Sequence, residues 1–472
     1  MKYRRDAVWL ALIALLLRLG VVAWAWGRMP AVADGFYYHR LAERLAAGHG
    51  YTWLWPDGAV TYAAHYPIGY PAWLAAAYMA FGASPEVAMV FNALAGAFGV
   101  WCVHRILSRY RRRRLALGGA LLVAVHPALV MYTPAVMTEG LVATLLAMAT
   151  LLVLRVRERH CSRWSWFGWR LALAVCFAVS VLVRPQCLLL APLFGALAWA
   201  GPRRPRAALV GGLVTLGLCL ALISPWTYRN CERMGDCALV SVNGGWNLLI
   251  GTQAAGRGAW SPIDVPPACR AVFDEAAKDR CFMMAARERI VAEPVSWIRL
   301  LPAKLAVTFD YSGAPGWYLH EANPTLFTAR HKWWLGAVET AYERLLLMLA
   351  WFGLLPLVAG TRAGPWGASL RGRLGRGALY GAILLAATPY GWLSVLLGLA
   401  GVALRPAALV RRPVLLGAFF FALISVAFVH GVFFGAGRYF LPLFPLIATA
   451  AALGGARTLL LLRGARSSDI SV

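Results

Sequence analysis

The chain has 472 residues, 60% of them hydrophobic and only 14% charged, with a mean hydropathy of +0.62. Soluble domains carry roughly 45–50% apolar and about 25% charged residues, which argues against a water-soluble fold. The net charge of +26 sits in short arginine clusters between apolar runs. That is the pattern of cytoplasmic loops under the positive-inside rule rather than a nucleic-acid-binding stripe, so no nucleic-acid partner is expected.

The clusters are Lys2, Arg4 and Arg5; Arg109 with Arg111 to Arg114; Arg155, Arg157 and Arg159; Arg203, Arg204 and Arg206; Arg371, Arg373 and Arg376; Arg405, Arg411 and Arg412; and Arg463 with Arg466. They fix a topology with the N-terminus inside. Acidic residues show the opposite bias, with only Asp6, Glu158 and Asp469 on the inner side. Residues 7–26 form a first span, read as a signal anchor because no convincing small-residue cleavage site follows. Residues 27–86 make a first outer loop, and 87–108 return to the inner arginines. Residues 115–132 and 141–154 make a hairpin whose outer tip is 133–140. A second hairpin, 171–183 and 188–200, carries Arg184-Pro185-Gln186 at its tip, and 207–226 exit again.

Residues 228 to about 342 are too polar to cross the bilayer and are expected outside. Residues 345–360 return. The stretch 378–404 reads as two short spans broken at Thr388-Pro389 and Gly391, which keeps Arg405 to Arg412 inside. Residues 414–434 exit, Arg438 marks the outer turn, and 440–462 return. The expected fold is thus an all-α polytopic membrane protein of roughly 11–13 transmembrane helices, with amphipathic helices in the first outer loop and a mixed extracytoplasmic segment. Its expected division is 1–226, an N-terminal transmembrane module with a functional loop at 27–86; 227–343, the extracytoplasmic segment; and 344–472, the C-terminal helices.

Cys231, Cys237, Cys269 and Cys281 all fall in the main outer segment, where an oxidising compartment favours two disulfides. Three pairings are possible, and sequence proximity favours Cys231 with Cys237 and Cys269 with Cys281. Zinc is the alternative, although neither spacing is of the tight C-x-x-C kind.

Several outer residues could carry chemistry. Asp34, directly after the first span, is a candidate general base; as an alternative it caps the helix expected from Phe36, whose apolar Phe36, Leu41 and Leu45 oppose Arg40, Glu43 and Arg44. His65 opens a Pro-bounded aromatic turn running to Pro71 and could bind phosphate or a metal. Arg184, Arg229, Lys304 and Arg438 stand at outer helix ends. There they pair with carboxylates or lipid headgroups, or hold a departing phosphate whose oxygens match guanidinium donors. Glu139 either caps the helix from Leu141 or faces a polar cavity. Trp246, Trp260 and Trp317 could stack on sugar or anchor the segment at the interface.

In order along nearly the whole chain, these residues resemble the GT-C superfamily of membrane glycosyltransferases, of the type that contains protein O-mannosyltransferases and the lipid A aminoarabinose transferase. The matching elements are Asp34 through Tyr38 with Gly48 to Tyr51, Pro67 through Pro71, Thr138-Glu139-Gly140, Arg184-Pro185 and Pro225 through Asn230. They continue in Asn243 through Leu248 with Gly251, Glu293-Pro294 with Lys304, and Arg438-Tyr439 with Pro442 and Pro445. The resemblance implies the GT-C fold and assigns Asp34 as catalytic base. It implies a polyprenyl-phosphate-linked sugar donor and inversion at the anomeric carbon, with Arg438, Arg184, Arg229, Lys304, His65, Tyr37, Tyr38 and Tyr439 around the donor phosphate and lipid. Glu139, Asn243 and Asn247 are expected at an acceptor or structural site. A divalent metal is the one cofactor to look for. Two departures stand out: Gly35 replaces the second acid of the family's Asp-Glu pair, and His65-Tyr66 before Pro67-Ile68 stands where relatives carry Glu-Lys.

The expected activity is transfer of a sugar from the lipid-phosphate donor to an acceptor hydroxyl of a lipid, glycan or protein. Its expected setting is the bacterial inner membrane, with the active site facing the periplasm or exterior and membrane lipid as a partner. Two other readings compete: a polytopic transporter or flippase, and an O-antigen ligase or polymerase that shares the donor lipid.

Overall fold

A computed structural model describes residues 2–158, 163–199, 205–359, 370–404 and 414–462. The topogenic Arg159, Arg203, Arg204, Arg405, Arg411, Arg412, Arg463 and Arg466, with Cys161 and Asp469, lie outside the described residues.

Helix dominates because a backbone in hydrocarbon must satisfy its own hydrogen bonds. The first half contains α1 (Lys2–Ala25), α2 (Asp34–Ala46), α3 (Gly69–Phe81), α4 (Pro85–Leu107), α5 (Arg113–Ala124), α6 (Pro127–Met131), α7 (Glu139–Val156), α8 (Arg163–Val183), α9 (Leu190–Trp199) and α10 (Pro205–Met234). Among the described residues six stretches are long and apolar enough to cross a membrane: Tyr3–Ala25, Pro85–Tyr110, Glu139–Val156, Pro205–Met234, Val414–Val432 and Gly437–Ala456. Shorter apolar helices, Phe167–Val183, Pro185–Trp199 and Gly391–Ala403, fill the bundle between them. The protein is an integral membrane protein.

Small residues set the closest crossings, as they do where helices associate without a hydrophobic driving force. A Cβ on Gly99 of α4 would meet Thr144 Oγ1 of α7 at 2.8 Å, and that hydroxyl donates to Ala95 O at 2.9 Å.

The first outer loop holds α2 and α3 as expected, with one addition. Thr52–Leu54 (β1) and Val60–Tyr62 (β2) pair antiparallel, Thr52 opposite Tyr62, around a turn in which Ala59 N donates to Asp57 Oδ1 at 3.0 Å. The sequence signal was present, an Asp-Gly turn between β-branched and aromatic residues. Helix α2 is amphipathic, but its buried face is Gly35, Tyr38, Leu41 and Ala42; Phe36 points outward, 47% exposed.

The polar segment expected outside comprises α11 (Gly244–Ile250), α12 (Glu275–Ala292), α13 (Pro294–Arg299), α14 (Leu301–Phe309) and α15 (Ala314–Ala322). Disulfides join Cys231 to Cys237 and Cys269 to Cys281, the pairing that proximity favoured. Helix α16 (Ala329–Ala359) follows, then α17 (Leu370–Ala386) and α18 (Gly391–Ala403). The last two are separate, as the proline at 389 required, and Tyr390 N donates to the Thr388 hydroxyl at 3.2 Å in the break. The final helices are Val414–Val432 and Phe444–Leu462. Between them the turn that carries Arg438 is tied to the polar segment, where Gly435 N donates to Gly258 O at 2.8 Å.

Candidate active site

Asp34 begins α2 rather than capping it. The residue in the cap position is Ala33, whose φ of +50° and ψ of −133° is a conformation L-residues rarely adopt, and no side chain caps the helix. Such strain costs about 1–3 kcal/mol and persists only where the surroundings impose it. It turns the Asp34 carboxylate away from the helix amides and toward two donors from distant parts of the chain. Arg438 Nη1 donates to Oδ2 at 2.7 Å and the Tyr66 hydroxyl to Oδ1 at 3.1 Å. Burial raises the proton affinity of the carboxyl, but the Arg438 guanidinium and the Tyr66 hydroxyl outweigh it and hold Asp34 below the usual carboxylate range.

A second ion pair lies behind the first. Glu139, in the first turn of α7, is fully buried and accepts from Arg184 Nη2, while Arg184 Nε donates to the Thr138 hydroxyl at 2.7 Å. Arg438 Nε lies 3.9 Å from the same Glu139 oxygen. The result is an alternating chain, Asp34, Arg438, Glu139, Arg184. Both guanidinium groups lie near the Tyr439 ring, at 5.2 and 5.3 Å from its centroid, and that ring stacks on His430 at 4.0 Å. Among the described residues Glu139 Oε2 has no hydrogen-bond partner. Glu139 is thus the buried counter-ion of the two arginines.

Asp34, Tyr37, Tyr38, His65, Arg184, Asn243, Asn247, Arg438 and Tyr439 all line one cavity of about 2340 Å³, as do Trp246, Trp260 and Trp317. Part of its wall is apolar: Leu189 beside the Arg184 tip, and Phe428, Val429, Val432 and Phe433 at the end of the helix Val414–Val432. Two expected phosphate ligands are elsewhere. Arg229 donates to Ala63 O and Tyr51 O, both at 2.8 Å, with its guanidinium 4.8 Å from the Trp226 ring centroid. It braces the 27–86 loop through two backbone carbonyls, one of which, Tyr51 O, also accepts from Ala63 N at 3.1 Å. Lys304 is fully buried, donates to Val432 O at 3.0 Å, and is drawn down by burial to about 8. His65 packs edge-on against Tyr66 and Trp246, and burial lowers its proton affinity. Among the described residues no three His, Cys, Asp or Glu side chains gather as a metal site, so the metal role considered for His65 finds no ligand set there.

Four site features escaped sequence reasoning. Tyr66 was noted as part of an aromatic turn and of a departure from the family pattern but given no role, and Glu275 was not noted at all; both act through contacts more than thirty positions distant. The Tyr318 hydroxyl accepts from Val32 N at 3.2 Å and Val136 N at 3.3 Å, and a Cβ on Gly35 would lie 2.7 Å from it. This explains why the position after Asp34 is not a second acid. Arg18, buried within α1, donates to Ala14 O and Ala124 O at 3.1 and 3.3 Å.

A structure of ArnT from Cupriavidus metallidurans bound to undecaprenyl phosphate is 17% identical to this chain, covering 94% of it and 76% of that protein with a TM-score of 0.39. The archaeal oligosaccharyltransferase AglB from Archaeoglobus fulgidus, in complex with an inhibitory peptide and a dolichol-phosphate, is 13% identical, covering 98% of this chain and 51% of that one with a TM-score of 0.49. No curated protein sequence matches. The family described as dolichyl-phosphate-mannose-protein mannosyltransferase matches residues 65–228, from the His65 turn through the Arg184 tip into the Pro225 motif. Over that stretch the resemblance of the chain to the GT-C membrane glycosyltransferases, read first from its motifs, is borne out.

Proposed function

We propose that the protein is an inverting glycosyltransferase that moves a sugar from a polyprenyl-phosphate donor to an acceptor hydroxyl at the outer face of the membrane. The observation that carries this reading is the meeting of a carboxylate, Asp34, with two arginines, Arg438 and Arg184, in one large cavity. Its volume of about 2340 Å³ exceeds the roughly 300–1,000 Å³ of a single small-molecule pocket and leaves room for donor headgroup and acceptor together. The apolar wall of Leu189, Phe428, Val429 and Phe433 suits an isoprenoid chain. The family matched over residues 65–228 is named for a lipid-phosphate donor.

The chemistry needs three things of these residues. Asp34, ionised at neutral pH, accepts the proton of the acceptor hydroxyl as its oxygen attacks the anomeric carbon. The bond from that carbon to the phosphate oxygen breaks with its electron pair on the phosphate. Arg438 and Arg184 neutralise the developing charge, with forked donors held in place before the reaction by Glu139. As the phosphate draws on Arg438, the Asp34 carboxylate loses part of its partner and becomes a stronger base at the moment it is needed.

The test is release of polyprenyl phosphate from a panel of labelled polyprenyl-phosphate monosaccharides, by purified protein in nanodiscs supplied with envelope extract. We expect release from one donor class, reduced about 10²–10⁴-fold in Asp34→Asn, the usual worth of a positioned general base. A fully active Asp34→Asn enzyme, or no release from any donor by a folded wild type, would overturn the reading.

A further inference from the structure

The turn that carries Tyr66 is held by a residue 210 positions further along the chain. Glu275 opens α12, and its carboxylate accepts three N–H groups of the first outer loop: the Trp53 indole, Ala64 N at 2.8 Å and His65 N at 3.0 Å. A carboxylate that collects three donors is fixed in one orientation, and each such charge-assisted bond is roughly twice as strong as a neutral one. The next residue in the loop is Tyr66, whose hydroxyl donates to Asp34. One turn along α12, on the same helix face, Asp279 accepts Trp246 N at 3.0 Å, and the Trp246 ring packs edge-on against His65 at 5.2 Å. The Tyr66 ring in turn stacks on Tyr37 at 5.2 Å. The start of α12 is itself anchored, by the disulfide from Cys269 to Cys281 and by Asp274, which caps the helix through Ala277 N at 2.8 Å.

We propose that Glu275 is a positioning residue for Asp34: by clamping Ala64 and His65 it sets the Tyr66 hydroxyl against the Asp34 carboxylate. The proposal rests on the reading of Asp34 as the base. Among the described residues Glu275 makes no bond to Asp34, and the neighbour of its clamp that does is Tyr66. The titratable groups facing Asp34 are Arg438 from the outer turn, Tyr66 and His65 from the loop, Tyr38 from α2 and Tyr318 from α15. Of these, only Arg438 and Tyr66 hydrogen-bond to it. Releasing Tyr66 leaves burial opposed by Arg438 with no help from the hydroxyl, so the proton affinity of Asp34 rises.

The experiment compares pH profiles of polyprenyl phosphate release for wild type, Glu275→Gln, Tyr66→Phe and the double variant. Glutamine keeps the size of the side chain but offers one acceptor oxygen in place of two. Both single variants are expected to lose about tenfold or more in turnover and to shift the acid limb to higher pH. The double variant is expected to be no worse than the weaker single one, as for residues that act in series. An acid limb that stays in place in Glu275→Gln, or losses that multiply in the double variant, overturns the proposal. Hydrogen exchange on the substrate-free protein gives a readout independent of activity. Glu275→Gln should speed exchange of the Ala64 and His65 amides while α4 and α7 keep their protection, and unchanged exchange at those two amides overturns the clamp. A wild type that releases nothing, with exchange that responds as expected, removes the reading of Asp34 as base and leaves the clamp standing.

Discussion

At residue 35 a missing side chain is what allows the site to assemble. A Cβ there would lie 2.7 Å from the Tyr318 hydroxyl and 3.0 Å from Val136 O, and both belong to elements that face Asp34. Overpacking of this kind costs about 1–3 kcal/mol, so Gly35→Ala should lower the thermal midpoint in detergent and reduce donor turnover together. The acid limb of the pH profile tests the neighbouring ion pair. Asp34 is held below its ordinary value because Arg438 and Tyr66 outweigh burial. The pair therefore contributes stability above the ordinary carboxylate range and loses it as pH falls through the depressed folded value. In Arg438→Gln burial is opposed by the Tyr66 hydroxyl without the guanidinium, so the proton affinity of the carboxyl should rise and the acid limb of residual turnover should move to higher pH. An acid limb at the wild-type position would show that the ion pair does not set the charge of Asp34.

At the scale of elements, α12 organises the outer side of the cavity. Its N-terminus lies inside the loop closed by Cys269 and Cys281, 12 residues apart, and a disulfide closing a loop of about that size contributes up to about 3 kcal/mol. Reduction, or the Cys269→Ser/Cys281→Ser variant, should therefore lower the thermal midpoint. It should also slow donor turnover, because α12 carries Glu275 to the His65 turn and Asp279 to Trp246. Gly245, read from the sequence only as part of a family motif, gains a physical reason at this scale. A Cβ on Gly245 would come 1.9 Å from Asp279 O, so α11 approaches α12 more closely than any other residue would allow. Helix ends were legible where chemistry marks them, as at Pro389. The β1–β2 pair was passed over because three-residue strands give too short an alternation to stand out in an apolar chain.

For the whole molecule, orientation in the membrane follows from where the arginines gather, and the proposed outer-face site depends on it. Single-cysteine labelling with a membrane-impermeant maleimide in intact cells checks this directly. Phe273→Cys, at a position 89% exposed in the extracytoplasmic segment, should label from outside. Arg111→Cys, exposed at the opposite end of α4, should label only after permeabilisation. The reverse pattern would put the cavity on the cytoplasmic side and remove the proposed donor geometry.

The sequence by itself determined the solvent, the helical class and the two breaks at Pro389 and near Arg184; it favoured the pairing of the outer cysteines and singled out Asp34 as a candidate. Each of these is written locally, in hydropathy, in spacing or in a motif. Which cation serves which carboxylate was decided only by the tertiary structure. Arg184, Arg229, Lys304 and Arg438 look alike in the sequence, each a cation at an outer helix end. Packing sends Arg438 and Arg184 to Asp34 and Glu139, Arg229 to two loop carbonyls and Lys304 to Val432 O. Glu275 was invisible for the same reason: a carboxylate has no local signature for the donors it will meet 210 positions away, and only the closure of the chain brings them within hydrogen-bond reach.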